Sequence, residues 1–160
     1  MPETLSIKER ITAAVATALE AITVANGYQI DVGEVVRPRR TGENYAPQAY
    51  GISVLQGAEE PSTGIEPSTN PPLIAWDLQI QCDCMIRLSE ASTTPMDKAL
   101  NAFEASVRKC LMVNQNWGGL ALYTVLGPTI YPAANTGVEG VTVMAYITYQ
   151  VSELDPYEQR

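Results

Sequence analysis

The clearest pattern in the chain is an alternation of apolar and polar positions between Ile74 and Leu88. The apolar side chains occupy the even positions, namely Ile74, Trp76, Leu78, Ile80, Cys82, Cys84, Ile86 and Leu88. Because successive side chains of a β-strand point to opposite faces, this pattern predicts one long strand that buries one face. A register slip of one residue would drive Asp77 and Asp83 into the core, so we expect a well-specified register. The strand is much longer than the usual length of about five or six residues, so we expect it to extend past its sheet.

Two amphipathic helices are predicted, one before and one after this strand. Apolar residues recur at helical spacing from Ile7 to Ile22, and Ser6 and Glu9 have the spacing of a capping box. In the second helix, Pro95 suits the first helical position. The apolar stripe of this helix consists of Leu100, Phe103, Val107, Cys110 and Leu111. Each helix has a single apolar stripe, so both can pack against a sheet.

The remaining patterns predict four further strands and two long loops. The strands are expected near residues 28–37, with a break at Gly33, and near residues 49–56, 120–131 and 141–151. Residues 37–48 are expected to form a loop, because Pro38 cannot continue a ladder. Residues 57–72 combine four prolines with Ser, Thr, Gly and acidic residues, which predicts a long loop or hairpin tip that is mobile when the protein is alone. Residues 153–160 form a polar tail.

The order of these elements predicts a single domain over residues 1–160 with an α+β fold. Two helices with one apolar stripe each can cover one face of a mostly antiparallel or mixed sheet. The expected architecture is therefore a two-layer sandwich with both helices on one face and long protruding loops. The other face would carry Gln79, Gln81, Thr142 and Thr148, so we expect it to be wet unless another subunit covers it.

The charge balance argues against several classes of function. Eighteen Asp and Glu against ten Lys and Arg give a net charge of −8. A nucleic acid-binding groove needs clustered positive charge, so an acidic surface argues against one. No apolar run has the roughly 18 residues of a membrane-spanning helix, and the N-terminus lacks the pattern of a signal peptide. We therefore expect a protein that is made and folds in a cytoplasm, without a membrane contact.

The chain offers little material for catalysis. It has no histidine, which removes the usual activated serine and cysteine nucleophiles and most zinc or iron sites. Cys82, Cys84 and Cys110 could in principle bind a metal through three thiolates, but all three occupy apolar positions and are expected to be reduced core residues. Asp77 and Asp83 lie roughly 20 Å apart on a strand, too far for a paired general acid and base. We expect no enzyme, no cofactor and no metal.

The basic cluster of Arg37, Arg39 and Arg40 has three open interpretations. It is solvated, it pairs with an acidic neighbouring subunit, or it touches nucleic acid. If copies of the chain assemble, we expect these arginines to lie at or near a subunit boundary. In that case residues 57–72 become ordered only in the assembly.

Several spaced motifs follow one another in an order similar to that of a known family. After the N-terminal helix come Gly27-Tyr28-x-x-Asp31-x-Gly33-x-Val35, the loop with Pro38 and the arginines, and the long strand from Trp76. There follow a helix with Asp97, Leu100 and Phe103, then Trp117-Gly118-Gly119-Leu120, Gly137-Val138-Glu139-Gly140-Val141 and Tyr146-x-x-Tyr149. Over nearly the whole chain this order resembles the tail terminator, or minor tail protein U-like, family of long-tailed bacteriophages.

This resemblance implies a structural virion protein of the phage tail or neck, assembled in the bacterial cytoplasm. The subunits would form a hexameric ring that caps the finished tail tube, stops tube polymerisation and faces the head–tail connector or stopper protein. The other partners would be the tail-tube protein and, where one is present, the sheath protein. DNA would pass through the lumen without specific binding, because an acidic lining repels it. The implied fold is a sheet flanked by helices, and no catalytic residues carry over.

Nine residues are candidates for contact with a neighbouring subunit or partner. They are Arg37, Arg39, Arg40, Glu59, Glu60, Ile65, Asp77, Gln79 and Trp117. They represent the arginine-rich loop, the proline-rich segment, the polar face of the long strand and the aromatic turn. All of these features are polar or lie at turns.

Two alternative functions stay open. Within structural proteins, the chain is a tail-tube or head–tail connector subunit, and a tube protein would stack into open filaments whereas a terminator would stay a closed ring. In another class, it is a small-ligand or peptide-binding α+β domain, because a fold does not determine a function. Binding to a member of a metabolite panel would favour this last alternative.

Overall fold

Two helices and six strands form the regular structure of the described residues. A computed structural model describes residues 5–38, 49–70, 72–89, 91–131 and 139–157. The helices are α1 (Ile7–Glu20) and α2 (Met96–Val113). The strands are β1 (Glu34–Val36), β2 (Tyr50–Pro61), β3 (Ser68–Thr69), β4 (Pro72–Ile86), β5 (Tyr123–Ile130) and β6 (Glu139–Ser152). Short 3-10 turns occur at Val24–Asn26 and Trp117–Gly119.

The strands form one mixed sheet with the helices on one side. The order is β1-β2-β4-β6-β5, and the short β3 pairs with β4. β1 runs parallel to β2, and all other pairs are antiparallel. Both helices share a single hydrophobic core with one face of this sheet. The predicted α+β two-layer sandwich is therefore confirmed.

β4 is the central strand, and its predicted alternation is confirmed from Leu78 to Ile86. At its start the alternation fails, since Ala75 is buried while Ile74 and Trp76 are half-buried, and Leu88 lies beyond its end. The even positions from Leu78 to Ile86 are at most 1% exposed, whereas the odd positions from Asp77 to Met85 are half-buried. The expectation that β4 extends past its sheet is wrong, because β6 pairs with it from Leu73 to Ile86. Since β2 and β6 are themselves 12 and 14 residues long, β4 has partners on both sides along most of its length.

The helix boundaries follow local rules, with one shift. The backbone N–H of Glu9 donates to Ser6 Oγ at 3.3 Å, as the capping-box spacing predicts. The 3-10 turn after α1 ends at Gly27, whose φ of 83° lies in the left-handed region. α2 begins at Met96 rather than at Pro95, because Pro95 has an extended backbone with φ −57° and ψ 138°.

The strand predicted over residues 28–37 is too long, since only Glu34–Val36 pairs with β2. Upstream of it, the Val32 N–H donates to the Ile22 carbonyl at 2.9 Å, and the Gln29 N–H donates to Ser106 Oγ at 3.3 Å. These backbone groups are satisfied by the neighbouring helices and turns instead of by a strand. The loop predicted over residues 37–48 falls largely on residues 39–48, which lie outside the described residues.

The proline-rich segment 57–72 contains more regular structure than expected. β2 continues to Pro61 and pairs with Trp76 of β4, with a register shift between Gln56 and Glu59. Between the two strands, Ser68 pairs with Leu73. Proline is tolerated at the ends of strands, which is where Pro61 and Pro72 lie. The segment is therefore the end of a long β-hairpin, which is the second of the two predicted forms.

The three cysteines lie in the core, as expected. Cys82, Cys84 and Cys110 are each at most 1% exposed and carry free thiols. Burial raises the pKa of Cys82 to about 12 and that of Cys84 well above its ordinary value. Since the thiolate is the reactive form, these side chains behave as small apolar residues of the core.

Candidate functional site

The uncovered face of the sheet, here called the outer face, is polar along its centre. β4 contributes Asp77, Gln79, Gln81 and Asp83, and β6 contributes the register partners Thr148, Tyr146, Met144 and Thr142. The helices and the hydrophobic core occupy the opposite face. From Ala75 to Met85 and at the β2 and β6 positions paired with them, no described residue is a Lys or an Arg.

Neutral donors hold the two aspartates of the outer face in place. The Thr148 hydroxyl donates to Asp77 Oδ1. Asp83 Oδ1 accepts from the Thr142 hydroxyl at 2.8 Å and from Gln81 Nε2 at 2.9 Å. These bonds orient the carboxylates without neutralising them, and neither aspartate forms a salt bridge with any described residue. The outer face is therefore a fixed, acidic surface.

Glu60 adds to the negative charge of this face. It is the register partner of Asp77, so two carboxylates lie directly opposite one another on neighbouring strands. Like charges in this position are destabilising. The structure brings these two predicted candidates together, and Gln79 follows Asp77 along the same face.

Glu59 lies on the helix side of the sheet, away from Glu60. Its carboxylate accepts from Lys8 Nζ of α1 at 3.0 Å and from the Tyr149 hydroxyl of β6. Burial, together with the hydrogen bond to Glu59, raises the pKa of Tyr149. Glu59 therefore joins the hairpin to α1 and β6 within one chain. Ile65 is half-buried in the hairpin turn, and the partner contacts proposed for both residues stay predictions.

Arg37, the one described member of the basic cluster, has a partner inside its own chain. Its guanidinium contacts Glu9 of α1 with both Nη atoms, and the Nη2 to Oε2 distance is 2.9 Å. The hydrogen bond from Arg37 lowers the pKa of the Glu9 carboxyl. Arg39 and Arg40 lie outside the described residues. The three interpretations of the cluster therefore stay predictions.

Trp117 is a buried anchor in the chain alone. It is 4% exposed, and its indole N–H donates to Thr124 Oγ1 at 2.9 Å. Trp117, Gly118 and Gly119 all have positive φ, at 49°, 71° and 88°, so the turn places the indole beneath the start of β5. This burial leaves Trp117 little surface for a partner, and its predicted place in an interface has no support from its position.

Sequence reasoning missed an apolar surface at the β5 edge of the sheet. Four large side chains there are between 37% and 52% exposed on the outer face, and we call them the β5 edge patch: Tyr123, Val125, Ile130 and Tyr146. The signal for it was available, because the chain has no charged residue between Lys109 and Glu139. What the local pattern could not show is that β5 lies at an edge.

A polar network connects this edge to α2. Glu104 accepts hydrogen bonds from the Tyr131 hydroxyl, from the Thr129 hydroxyl at 2.9 Å, and from Arg108 Nη1 at 3.3 Å. Desolvation opposes the charged carboxylate, but the hydrogen bonds from Tyr131 and Thr129 and the charge of Arg108 outweigh it and lower the pKa of Glu104. The network fixes the end of β5 against the helix layer.

Glu104→Gln is expected to reduce the acid sensitivity of the fold. Because the folded pKa of Glu104 lies below its ordinary value of 4.5, the carboxylate stabilises the protein above that pH, and the contribution is lost as the pH falls through the folded pKa. On acidification from neutral pH, the wild type should lose on the order of 1 kcal/mol more free energy of unfolding than the variant. Urea denaturation at a series of pH values measures this difference.

The control for this measurement is Glu66→Gln, which removes a carboxylate at an exposed hairpin position. It should keep the acid sensitivity of the wild type. Equal acid sensitivity of Glu104→Gln and the wild type would contradict the role given to the network.

Other kinds of site find little support among the described residues. Nowhere in the described ranges do three Cys, Asp or Glu side chains come together as a metal site. Neither described helix is long and apolar enough to cross a membrane. Two clefts of about 280 and 370 Å³ flank β1. The first is lined by Glu20, Val32, Gly33, Glu34 and Val35. The second is lined by Arg37, Pro38, Val54, Leu55 and Gln56.

Comparison with known proteins finds a likeness in structure but not in sequence. No protein-family model matches the chain, and no curated protein matches its sequence. Among solved structures, it is similar to the sheath/tube terminator of an extracellular contractile injection system, PVC, determined by cryo-EM in the extended state, with 16% sequence identity and a TM-score of 0.45. The likeness covers 89% of this chain and 57% of that one. At this identity and TM-score, it establishes neither a family nor a function.

Proposed function

We propose that this chain is a non-enzymatic tail terminator of a long-tailed bacteriophage. Copies of it form a closed ring at the end of the tail tube, the hexamer that the family resemblance implies. The ring stops tube polymerisation and joins the tail to the head connector. The spaced motifs of the sequence support the class, and the acidic outer face of the sheet is the observation that supports the role.

The acidic outer face suits a wall past which DNA moves. Asp77, Asp83 and Glu60 give it negative charge, and the hydrogen bonds from Thr148, Thr142 and Gln81 keep two of these carboxylates oriented. Phosphates approaching such a wall are repelled over about 10 Å at moderate salt. A surface without cations also offers no site to which a passing duplex could bind. DNA therefore passes the ring without specific contacts.

The partners in this proposal are other structural proteins. The tail-tube protein contacts one side of the ring, the connector or stopper protein contacts the other, and a sheath protein joins them where the tail contracts. The long hairpin of β2 and β4 gives each subunit an extended, acidic end with the exposed Glu60 and Glu66. Such an end is a suitable element for reaching a neighbouring protein. The assembled protein resides in the virion.

The test is the mass of the pure protein and its affinity for tube ends. Size-exclusion chromatography with light scattering, at the concentrations used for tail assembly, should give one closed oligomer. In a co-sedimentation experiment, the protein should bind purified tail tubes at a fixed number of copies per tube, independent of tube length. A strict monomer that also fails to bind tubes would overturn the proposal.

A further inference from the structure

We propose that the β5 edge patch is the surface through which one copy of this chain contacts the next. The patch consists of Tyr123, Val125, Ile130 and Tyr146, as defined above. This inference rests on the proposed function, because the second copy is the neighbouring subunit of the proposed ring. It goes further in assigning the contact to an edge that none of the predicted interface residues occupies.

The patch is contiguous across two strands. Tyr146 of β6 is the register partner of Val125 of β5, so their side chains lie next to one another on the outer face. The ring of Tyr146 also lies directly over Gly127, where an added Cβ would come within 2.7 Å of Tyr146 Cε2. Glycine at this position thus leaves room for the ring, which a Cβ would displace. The result is an apolar surface in place of isolated protruding side chains.

β5 is also an edge that the fold leaves without a neighbouring strand. In the described part of the chain, β6 is its only partner. Exposed sheet edges are normally protected by lysine, proline, a bulge or short length. β5 has Pro128 and a register shift between Leu126 and Thr129, but it has no charged residue. The proline and the shift interrupt strand addition along the whole edge, so the contact is mainly side-chain packing.

The area of the patch fits a protein interface. An aromatic side chain covers roughly 150–250 Å² and Val and Ile less, so the exposed fractions of these four residues leave on the order of 300 Å² of surface. That is at the lower end of the range of about 300–600 Å² for the largest apolar patches of monomers, which often mark interaction sites. It is also somewhat over a third of the roughly 800 Å² that each partner contributes to a standard interface. The remaining area of such an interface would come from the polar residues around the patch.

Charge selects a second copy as the occupant. Two molecules with a net charge of −8 each repel one another wherever their acidic surfaces meet. The stretch between Lys109 and Glu139 contains no charged residue, and the charged neighbours Glu104 and Arg108 form an ion pair with one another. The β5 edge is therefore where two copies can approach with the least repulsion. Nucleic acid would require cations, which this stretch lacks. The network of Glu104, Arg108 and Tyr131 holds the edge rigid before contact.

The test compares two charge substitutions at valines of similar exposure. Val125→Glu places a carboxylate in the patch, where Val125 is 52% exposed. Val24→Glu is the matched control, because Val24 is 57% exposed but lies in the 3-10 turn after α1. Val125→Thr is a milder variant that keeps the β-branched shape and strand preference. Light scattering over a concentration series gives the oligomer mass, and circular dichroism verifies folding.

Val125→Glu should raise the apparent dissociation constant of the oligomer at least about tenfold, and Val125→Thr by less, while Val24→Glu stays within about twofold of the wild type. Assembly of folded Val125→Glu like the wild type would overturn the inference. A wild type that is monomeric would overturn it too. So would an equal loss of oligomer affinity in Val125→Glu and Val24→Glu, or a Val125→Glu oligomer that stays intact and loses only tube binding.

The same experiment separates this inference from the proposed function. If the wild type forms only dimers and Val125→Glu dissociates them, the patch is a self-contact and the ring proposal is wrong. If the wild type forms closed rings that Val125→Glu leaves intact, the ring proposal stands and the patch assignment is wrong.

Discussion

Ile80→Asp is expected to unfold the protein, with a loss of more than about 4 kcal/mol in the free energy of unfolding. Ile80 is fully buried at the centre of β4, between Gln56 of β2 and Ala145 of β6. A carboxylate there would lose its hydration without gaining a cation, because the neighbouring core is apolar. Urea denaturation followed by circular dichroism measures the loss.

The matched control is Gln79→Asp, one position earlier on the same strand. Gln79 points to the outer face and is half-buried, so the same new charge should cost below about 1 kcal/mol. Both variants introduce the same charge into neighbouring positions of β4. A difference between their losses in free energy of unfolding therefore reports the side of the sheet on which the charge lies. Similar losses for the two variants would contradict the register of β4.

Phe103→Ala is expected to lower the free energy of unfolding by about 3–5 kcal/mol. Phe103 is fully buried on α2, and its ring meets that of Tyr50 edge to face, with 5.2 Å between the centroids and an interplanar angle of 84°. Truncation would leave a cavity between the helix layer and β2 and would remove this aromatic contact. A loss of that size is a large fraction of the 5–15 kcal/mol typical of a domain.

Val113→Ala at the end of the same helix is the control for Phe103→Ala. Val113 is 69% exposed, so its truncation should change the free energy of unfolding by less than about 0.5 kcal/mol. Chemical denaturation of both variants provides the comparison. A loss below about 1 kcal/mol for Phe103→Ala would show that α2 does not pack on the sheet as described.

The elements that the sequence predicted well are those with a long, unbroken period. β4, β6 and the two helices each bury one face, so their apolar residues recur at the spacing of a strand or a helix. The polar outer face was predicted for the same reason, since Gln79, Gln81 and Thr142 alternate with buried neighbours. The expectation that Thr148 is also wet is wrong, because it is only 2% exposed. Local periodicity is sufficient when one element packs uniformly against one layer.

Where a segment packs against distant elements, the local pattern was misleading. Tyr28 and Ile30 alternate as in a strand, but Lys109 Nζ of α2 lies 4.8 Å from the centre of the Tyr28 ring, and Ile30 is buried in the core without a strand partner. The hairpin end was underestimated because its prolines were interpreted as breaking the sheet. They lie at Pro61 and Pro72, the ends of β2 and β4.

The candidate site was predictable in part. The acidic strand face was visible from the alternation, and Asp77 and Gln79 lie on it. The internal partners of Arg37 and Glu59 were not visible, because Glu9 and Tyr149 are far away along the chain. The β5 edge patch was missed because a sheet edge is defined by strand order, and strand order follows from long-range pairing.

Electron microscopy of the pure protein tests the central claim most directly. If the protein is a ring-forming terminator, the images should show closed rings of uniform diameter with a central opening, in the absence of tube protein. Open, growing filaments would indicate a tube subunit, because its head-to-tail contacts do not close. Filaments, or separate monomers at every concentration, would contradict the account.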